Sequence, residues 1–185
     1  KVLDVARRIA GTGSLGVDRY VILVEGKGAP DRNYLIDLKE AKPSSLVAHL
    51  KIKQPRWPTE AHRVVAVQRR MQAVSMAFLQ PAILGKTSYI LRGLQPTEDR
   101  VALAGWNGRL RRIEGVMRTM GEVVAWGQLR SGGREGSAVI DELTDFARRG
   151  KWMKRLLEAA EHAGAQVEKD WQAYAAAWRD GVFKP

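Results

Sequence analysis

Three glycines and one lysine are the residues whose types and spacing could do chemistry. Gly11-Thr12-Gly13-Ser14-Leu15-Gly16 carries the pattern G-x-G-x-x-G, and Lys39 closes the run Tyr34-Leu35-Ile36-Asp37-Leu38-Lys39. Glycines at this spacing let a backbone turn tightly and approach a phosphate with no Cβ in the way. A turn of successive N–H groups plus one ammonium can hold phosphate oxygens. A dinucleotide fold would begin a helix directly after the glycines. Here Tyr20-Val21-Ile22-Leu23-Val24 is apolar and β-rich, which predicts a strand. The alternative is a plain hairpin whose glycines only make turns.

The elements that must position these residues follow from periodicity. A first strand is expected to begin near Val5, a second over 17–25, and a third over 33–40 after a turn at 26–31. Alternation places Tyr34, Ile36 and Leu38 on one face of the third strand and Leu35, Asp37 and Lys39 on the other. Lys39 can then face a cleft while Ile36 packs inward, or it is an ordinary exposed strand lysine. Glycine stretch, strand, then a lysine on the next strand is the order of a protein-kinase nucleotide lobe. Pro43-Ser44-Ser45 reads as a helix start with Leu46, Val47 and Leu50 on its apolar side. Thr59 is a candidate N-cap for a helix whose stripe is Val64, Val67, Met71, Val74 and Phe78. Stepping back four residues puts Glu60 on that stripe, where its carboxylate could hold Lys39 toward a phosphate or simply favour the helix dipole. Residues 82–94 read as a hairpin around Gly85-Lys86.

The polar, proline-bearing run Gln95-Pro96-Thr97-Glu98-Asp99 is the expected boundary between an α/β part, residues 1–96, and a helical part, residues 97–185. Beyond it, Leu110, Ile113, Met117, Met120 and Val124 form a stripe with core spacing. Ser137 is a candidate cap for a helix ending at Gly150. The last helix carries Trp152, Leu156, Ala160, Ala163, Val167, Trp171, Tyr174 and Trp178, and Gly164 is where it could bend.

Thirty-one Lys and Arg against 20 Asp and Glu give a net charge of +11. That suits an anionic partner, but the basic residues are scattered, as on solvated helix faces. A chain with no cysteine has no disulfide framework and no thiolate metal site. His49, His62 and His162 are dispersed, so no metal site is expected. No signal peptide or membrane span is evident, and a cytoplasmic protein without membrane partners is expected. The sequence begins at Lys1 in what reads as structured chain, so it is expected to be part of a longer protein.

Five runs carry a family resemblance. They are residues 4–16, Leu38-Lys39-Glu40-Ala41, Arg63-Val64-Val65, Gln68-Arg69 with Met71-Gln72-Ala73, and Ser88-Tyr89-Ile90-Leu91-Arg92. Together they resemble a bacterial family catalogued only as domain of unknown function twenty-two fifty-two, over essentially the whole chain, with the chain similar to the later part of longer members. The family looks distantly protein-kinase-like. The resemblance implies that Gly11, Gly13, Ser14 and Gly16 form a phosphate loop, that Lys39 is the strand lysine, and that ATP and Mg²⁺ are bound. Two departures stand out. Many relatives look acidic where this chain has Ala66, so Glu60 is the substitute partner for Lys39. A Gly-Asp-x-His-x-x-Asn-like loop and an Asp-rich metal motif, which in relatives lie upstream, are missing from this sequence. Glu98, Asp99, Asp141 and Asp145 lack the spacing to replace them.

The expected fold is α+β: a small antiparallel sheet with a glycine-rich loop and packed helices, followed by a helical half. The candidate nucleotide-binding residues are Gly11, Gly13, Ser14, Gly16, Lys39, Glu60 and Gln95. The expected function is the nucleotide-binding part of a kinase-like phosphotransferase of unknown acceptor, inactive by itself and completed by an upstream segment or another copy. The alternatives are a basic module for nucleic acid or another acidic partner, and a kinase-like scaffold without chemistry.

Overall fold

The computed structural model describes residues 1–29, 31–96 and 101–183. Its strands are β1 (Val2–Arg7), β2 (Arg19–Val24), β3 (Tyr34–Glu40), β4 (Gln80–Leu84) and β5 (Thr87–Gly93). They form one antiparallel sheet in the order β1-β2-β3-β5-β4. The helices are α1 (Glu60–Met71), α2 (Leu110–Ser131), α3 (Ile140–Arg149) and α4 (Lys151–Arg179). The expected α+β class is therefore what the chain adopts.

Two compact units result, Lys1–Ser137 and Ala138–Pro185. The expected boundary at Pro96 adjoins residues 97–100, so Glu98 and Asp99 lie outside the described residues.

In the first unit, β3 is the central strand, and Ile36, Leu38 and Tyr89 are buried on one face of the sheet. Thr59 caps α1 as expected, its hydroxyl accepting from the His62 N–H at 3.3 Å. The helix stops at Met71, because Gln72 turns extended (φ −83°, ψ 141°), so Val74 and Phe78 lie beyond it. The buried residues of α1 are Ala61 and Val65. The stripe Val64, Val67 and Met71 borders a groove shared with α2 instead. Gly127 of α2 is the close-approach point, where an added Cβ would stand 3.4 Å from the Met71 methyl.

Three expectations need correction. Residues 43–50 form only one 3₁₀ turn, Val47–His49, with Leu46, Val47 and Leu50 exposed. A run with three apolar residues and no buried partner lacks the contacts that stabilise short helices. The stripe on α2 is not core: Leu110, Met117, Met120 and Val124 are exposed. Ser137 does not cap α3; Val139 holds that position, and the Glu142 carboxylate accepts from its N–H at 2.9 Å. Gly150 does close α3, in the left-handed region at φ 64°. The final helix runs unbroken through Gly164.

A candidate anion site on the charged face of the sheet

Register determines which side chains share a face. Residues directly opposite on neighbouring antiparallel strands point the same way. Arg19 pairs with Lys39, and the Arg8 N–H donates to the Arg19 carbonyl at 2.8 Å. Arg8, Arg19 and Lys39 therefore form one row across three adjacent chain segments. The next row on the same face holds Val21, Asp37 and Arg92. Three like charges opposite one another repel, and a sheet tolerates them only with compensation.

Asp37 supplies that compensation. Among the described residues it is the one buried charged side chain, 1% exposed. The Arg19 guanidinium grips it with two parallel bonds, Nε to Oδ1 at 2.6 Å and Nη2 to Oδ2 at 2.8 Å. Arg92 Nε donates to Oδ2 at 3.2 Å, and Arg8 Nη1 stands 3.6 Å from Oδ1. Burial pushes the Asp37 carboxyl up, but the hydrogen bonds and charges of Arg19 and Arg92 outweigh it and hold it below the usual carboxylate value. Arg8, Arg19, Arg92 and Lys39 around the single carboxylate of Asp37 leave this cluster with +3.

Lys39 is the cation left over. Among the described residues it makes no ion pair, while burial and then the charges of Arg19 and Arg92 push its pKa below that of an ordinary lysine. The expected partner does not reach it. Glu60 bonds Arg63 at 2.6 Å instead. The reason lies in the helix: the sheet-side residues of α1 are Ala61 and Val65, and Glu60 sits a turn before Val64, on the groove side.

The glycine-bearing segment joins β1 to β2, strand to strand, through one 3₁₀ turn, Thr12–Ser14. Its near end reaches the charged face, where Arg19 Nη1 donates to the Ala10 carbonyl at 3.2 Å. Gly11 and Gly16 have φ of +78° and +76°, a region where a Cβ is strained. Gly13 has no such φ, and nothing lies within 4 Å of where its Cβ would be. Among the described residues no contact requires a glycine at that position. Ser14 donates its N–H to the Gly11 carbonyl. Gln95 is exposed just past β5, at the end of the sheet near Leu35. Since β5 runs antiparallel to β3, that is the opposite end from Lys39.

Sequence alternation placed Lys39 on the face of Asp37 but did not single out Arg8, Arg19 and Arg92, which share that face. The signal was Asp37. A carboxylate in the apolar run Leu35-Ile36-Asp37-Leu38 is buried only if paired, and the cations able to reach it had to stand on its own face of the flanking strands.

The family model described as "Uncharacterized protein conserved in bacteria (DUF2252)" matches residues 1–177, so the chain belongs to that family. No curated protein and no solved structure matches it.

Proposed function

We propose that this member of the family holds the phosphates of a nucleotide on the charged face of its sheet, as the nucleotide-binding part of a kinase-like phosphotransferase. The single observation that carries the reading is the row Arg8–Arg19–Lys39. It is a line of cations beside a glycine segment, with Asp37 compensating the arginines and Lys39, among the described residues, in no ion pair. A polyphosphate would relieve the repulsion along that row, and its oxygens suit guanidinium and ammonium donors alike. The order of elements adds support: glycine segment between β1 and β2, lysine on β3, then a helix and two further strands. Lys39 and Arg19 would meet the phosphates, and Gly11, Gly13 and Ser14 would offer backbone beside them. Glu60 and Gln95 take no part in this geometry.

Mg²⁺ is implied by resemblance alone. Among the described residues no three carboxylate, His or Cys side chains come together as a metal site. The described residues do not fit the ion. Phosphoryl transfer also needs a positioned acceptor and charge neutralisation beyond one lysine. We therefore expect residues 1–185 to bind ATP without transferring phosphate at an enzymatic rate. Radiolabelled ATP turnover with Mg²⁺ and Mn²⁺ tests this. Robust turnover abolished by Lys39→Met would mean that a catalytic acid and metal ligands lie within these residues.

The nucleic-acid alternative is favoured by the +11 charge. It is disfavoured where aromatic and basic side chains do meet. Arg70 lies over the Trp57 ring at 5.2 Å and is gripped by Glu135 at 2.7 and 3.0 Å, so that pair is engaged within the protein. Steep salt dependence with a submicromolar, sequence-selective complex would reverse the ranking.

A further inference from the structure

The apolar stripe of α4 repeats every eleven residues. Its spacings from Trp152 to Trp178 run four, four, three, then four, four, three, four, so Trp152, Ala163 and Tyr174 are equivalent, as are Leu156, Val167 and Trp178. An eleven-residue repeat has about 3.67 residues per turn, close to a straight helix, and winds a helix pair with a slight right-handed twist. Such a stripe stays in contact with a matching helix along its whole length. The 29 residues of α4 give about 43 Å of it.

Beyond Trp152, which stacks on Phe146 of α3 at 5.7 Å, the stripe is covered among the described residues only where Phe183 stacks on Tyr174 at 5.3 Å. Leu156, Val167, Trp171, Tyr174 and Trp178 are each 50–67% exposed. Three aromatic rings of roughly 200 Å² each, somewhat over half exposed, supply about 340 Å². Leu156 and Val167 on the stripe and Met153 and Leu157 beside it, each 52–67% exposed, add roughly 100 Å² each, which brings the face near the roughly 800 Å² per partner of a standard interface.

We infer that α4 pairs with α4 of a second copy of this chain, antiparallel and centred on Val167. That centring sets Ala163 against Trp171, Ala160 against Tyr174 and Leu156 against Trp178, so the large C-terminal half of each stripe meets the smaller N-terminal half of the other. Interdigitation of large with small is what dense packing requires. A hollow of about 310 Å³ bordered by Trp171, Tyr174 and Trp178 is the hole into which such a knob fits. A parallel pair would set ring on ring. It would also stack Lys151, Lys154 and Arg155 on their own copies, whereas the antiparallel pair sets Lys154 against Asp180 and leaves Arg155 beside Arg179 as its one like-charge approach among these three.

The test uses the full chain, and its lack of cysteine makes an introduced one unique. Sedimentation equilibrium from about 1 to 100 µM should give twice the 20.6 kDa chain mass. Trp171→Glu should raise the dimer dissociation constant by roughly 30-fold or more, as loss of a buried aromatic anchor does, with helix content by circular dichroism unchanged. Under mild oxidation Val167→Cys should form a covalent dimer, since the two copies of residue 167 meet at the centre. Leu156→Cys should not, since its copies lie some 33 Å apart at about 1.5 Å per residue. A monomer throughout that range, as expected if another protein or a further segment covers the stripe, would overturn the inference. So would cross-linking at position 156, which means a parallel pair, or no cross-linking at 167.

Discussion

In the sheet unit the most enclosed charged group is a carboxylate, while in the α3–α4 unit the largest apolar groups are on the outside. Asp37 is 1% exposed at the centre of a strand-to-strand network. Trp171 and Trp178 are 59% and 61% exposed on a helix that satisfies its own backbone. A strand cannot pair with itself, so the sheet had to bring distant segments together, and Arg8, Arg19 and Arg92 converge on Asp37 from three of them. A helix closes its hydrogen bonds locally and can stand with its apolar face uncovered. One unit thus concentrates positive charge around a buried carboxylate, and the other exposes a row of apolar side chains.

The harshest way to break this contrast is Asp37→Ala. Removing the carboxylate leaves Arg19 and Arg92 facing Arg8 and Lys39 unpaired, and loss of one partner of a buried pair costs about 3–5 kcal/mol. Urea unfolding should show a loss of that size; a loss below about 1 kcal/mol would mean that the network is not what orders the sheet. The same carboxylate sets an acid limit. Its folded pKa is depressed, so its contribution is fully present above the ordinary carboxylate value and fades as pH falls through the lower folded value.

Hydrogen exchange sharpens the contrast at the next scale. Amides of β3 should exchange only through large-scale unfolding, and those of α4 at a lower opening free energy in dilute solution. Protection of α4 should rise with protein concentration while that of β3 stays constant. Concentration-independent α4 protection equal to that of β3 would erase the distinction.

Smaller effects test α1. Thr59→Ala removes a helix cap and should cost about 1 kcal/mol. Glu60→Gln loses a partly exposed pair with Arg63, worth less than about 1 kcal/mol, and should leave nucleotide affinity unaltered. A tenfold loss of ATP affinity in Glu60→Gln would restore it as the partner of Lys39.

Local pattern made much of the fold legible. The alternating run 34–40, the cap at Thr59 and the break at Gly150 each declare themselves within a few residues. The face of α1 did not, because that helix has two apolar sides, and only the packed structure distinguishes Ala61 and Val65 from the longer stripe of Val64, Val67 and Met71. The same ambiguity hid the site. Lys39 and Asp37 could be placed on one face from sequence, but the arginines that complete that face come from three segments up to 84 positions apart, from Arg8 to Arg92, and register between distant strands is not written in any one of them.

The most direct test of the charged row compares two lysines. Lys39→Met and Lys27→Met remove the same single charge, one from the row on β3 and one from an exposed loop. ATP affinity measured calorimetrically at physiological salt should fall by about tenfold or more in Lys39→Met, the scale of one charge-assisted phosphate contact, and by less than about twofold in Lys27→Met, as for a screened surface charge. Equal losses in the two variants, or none in either, would contradict a phosphate site on that face.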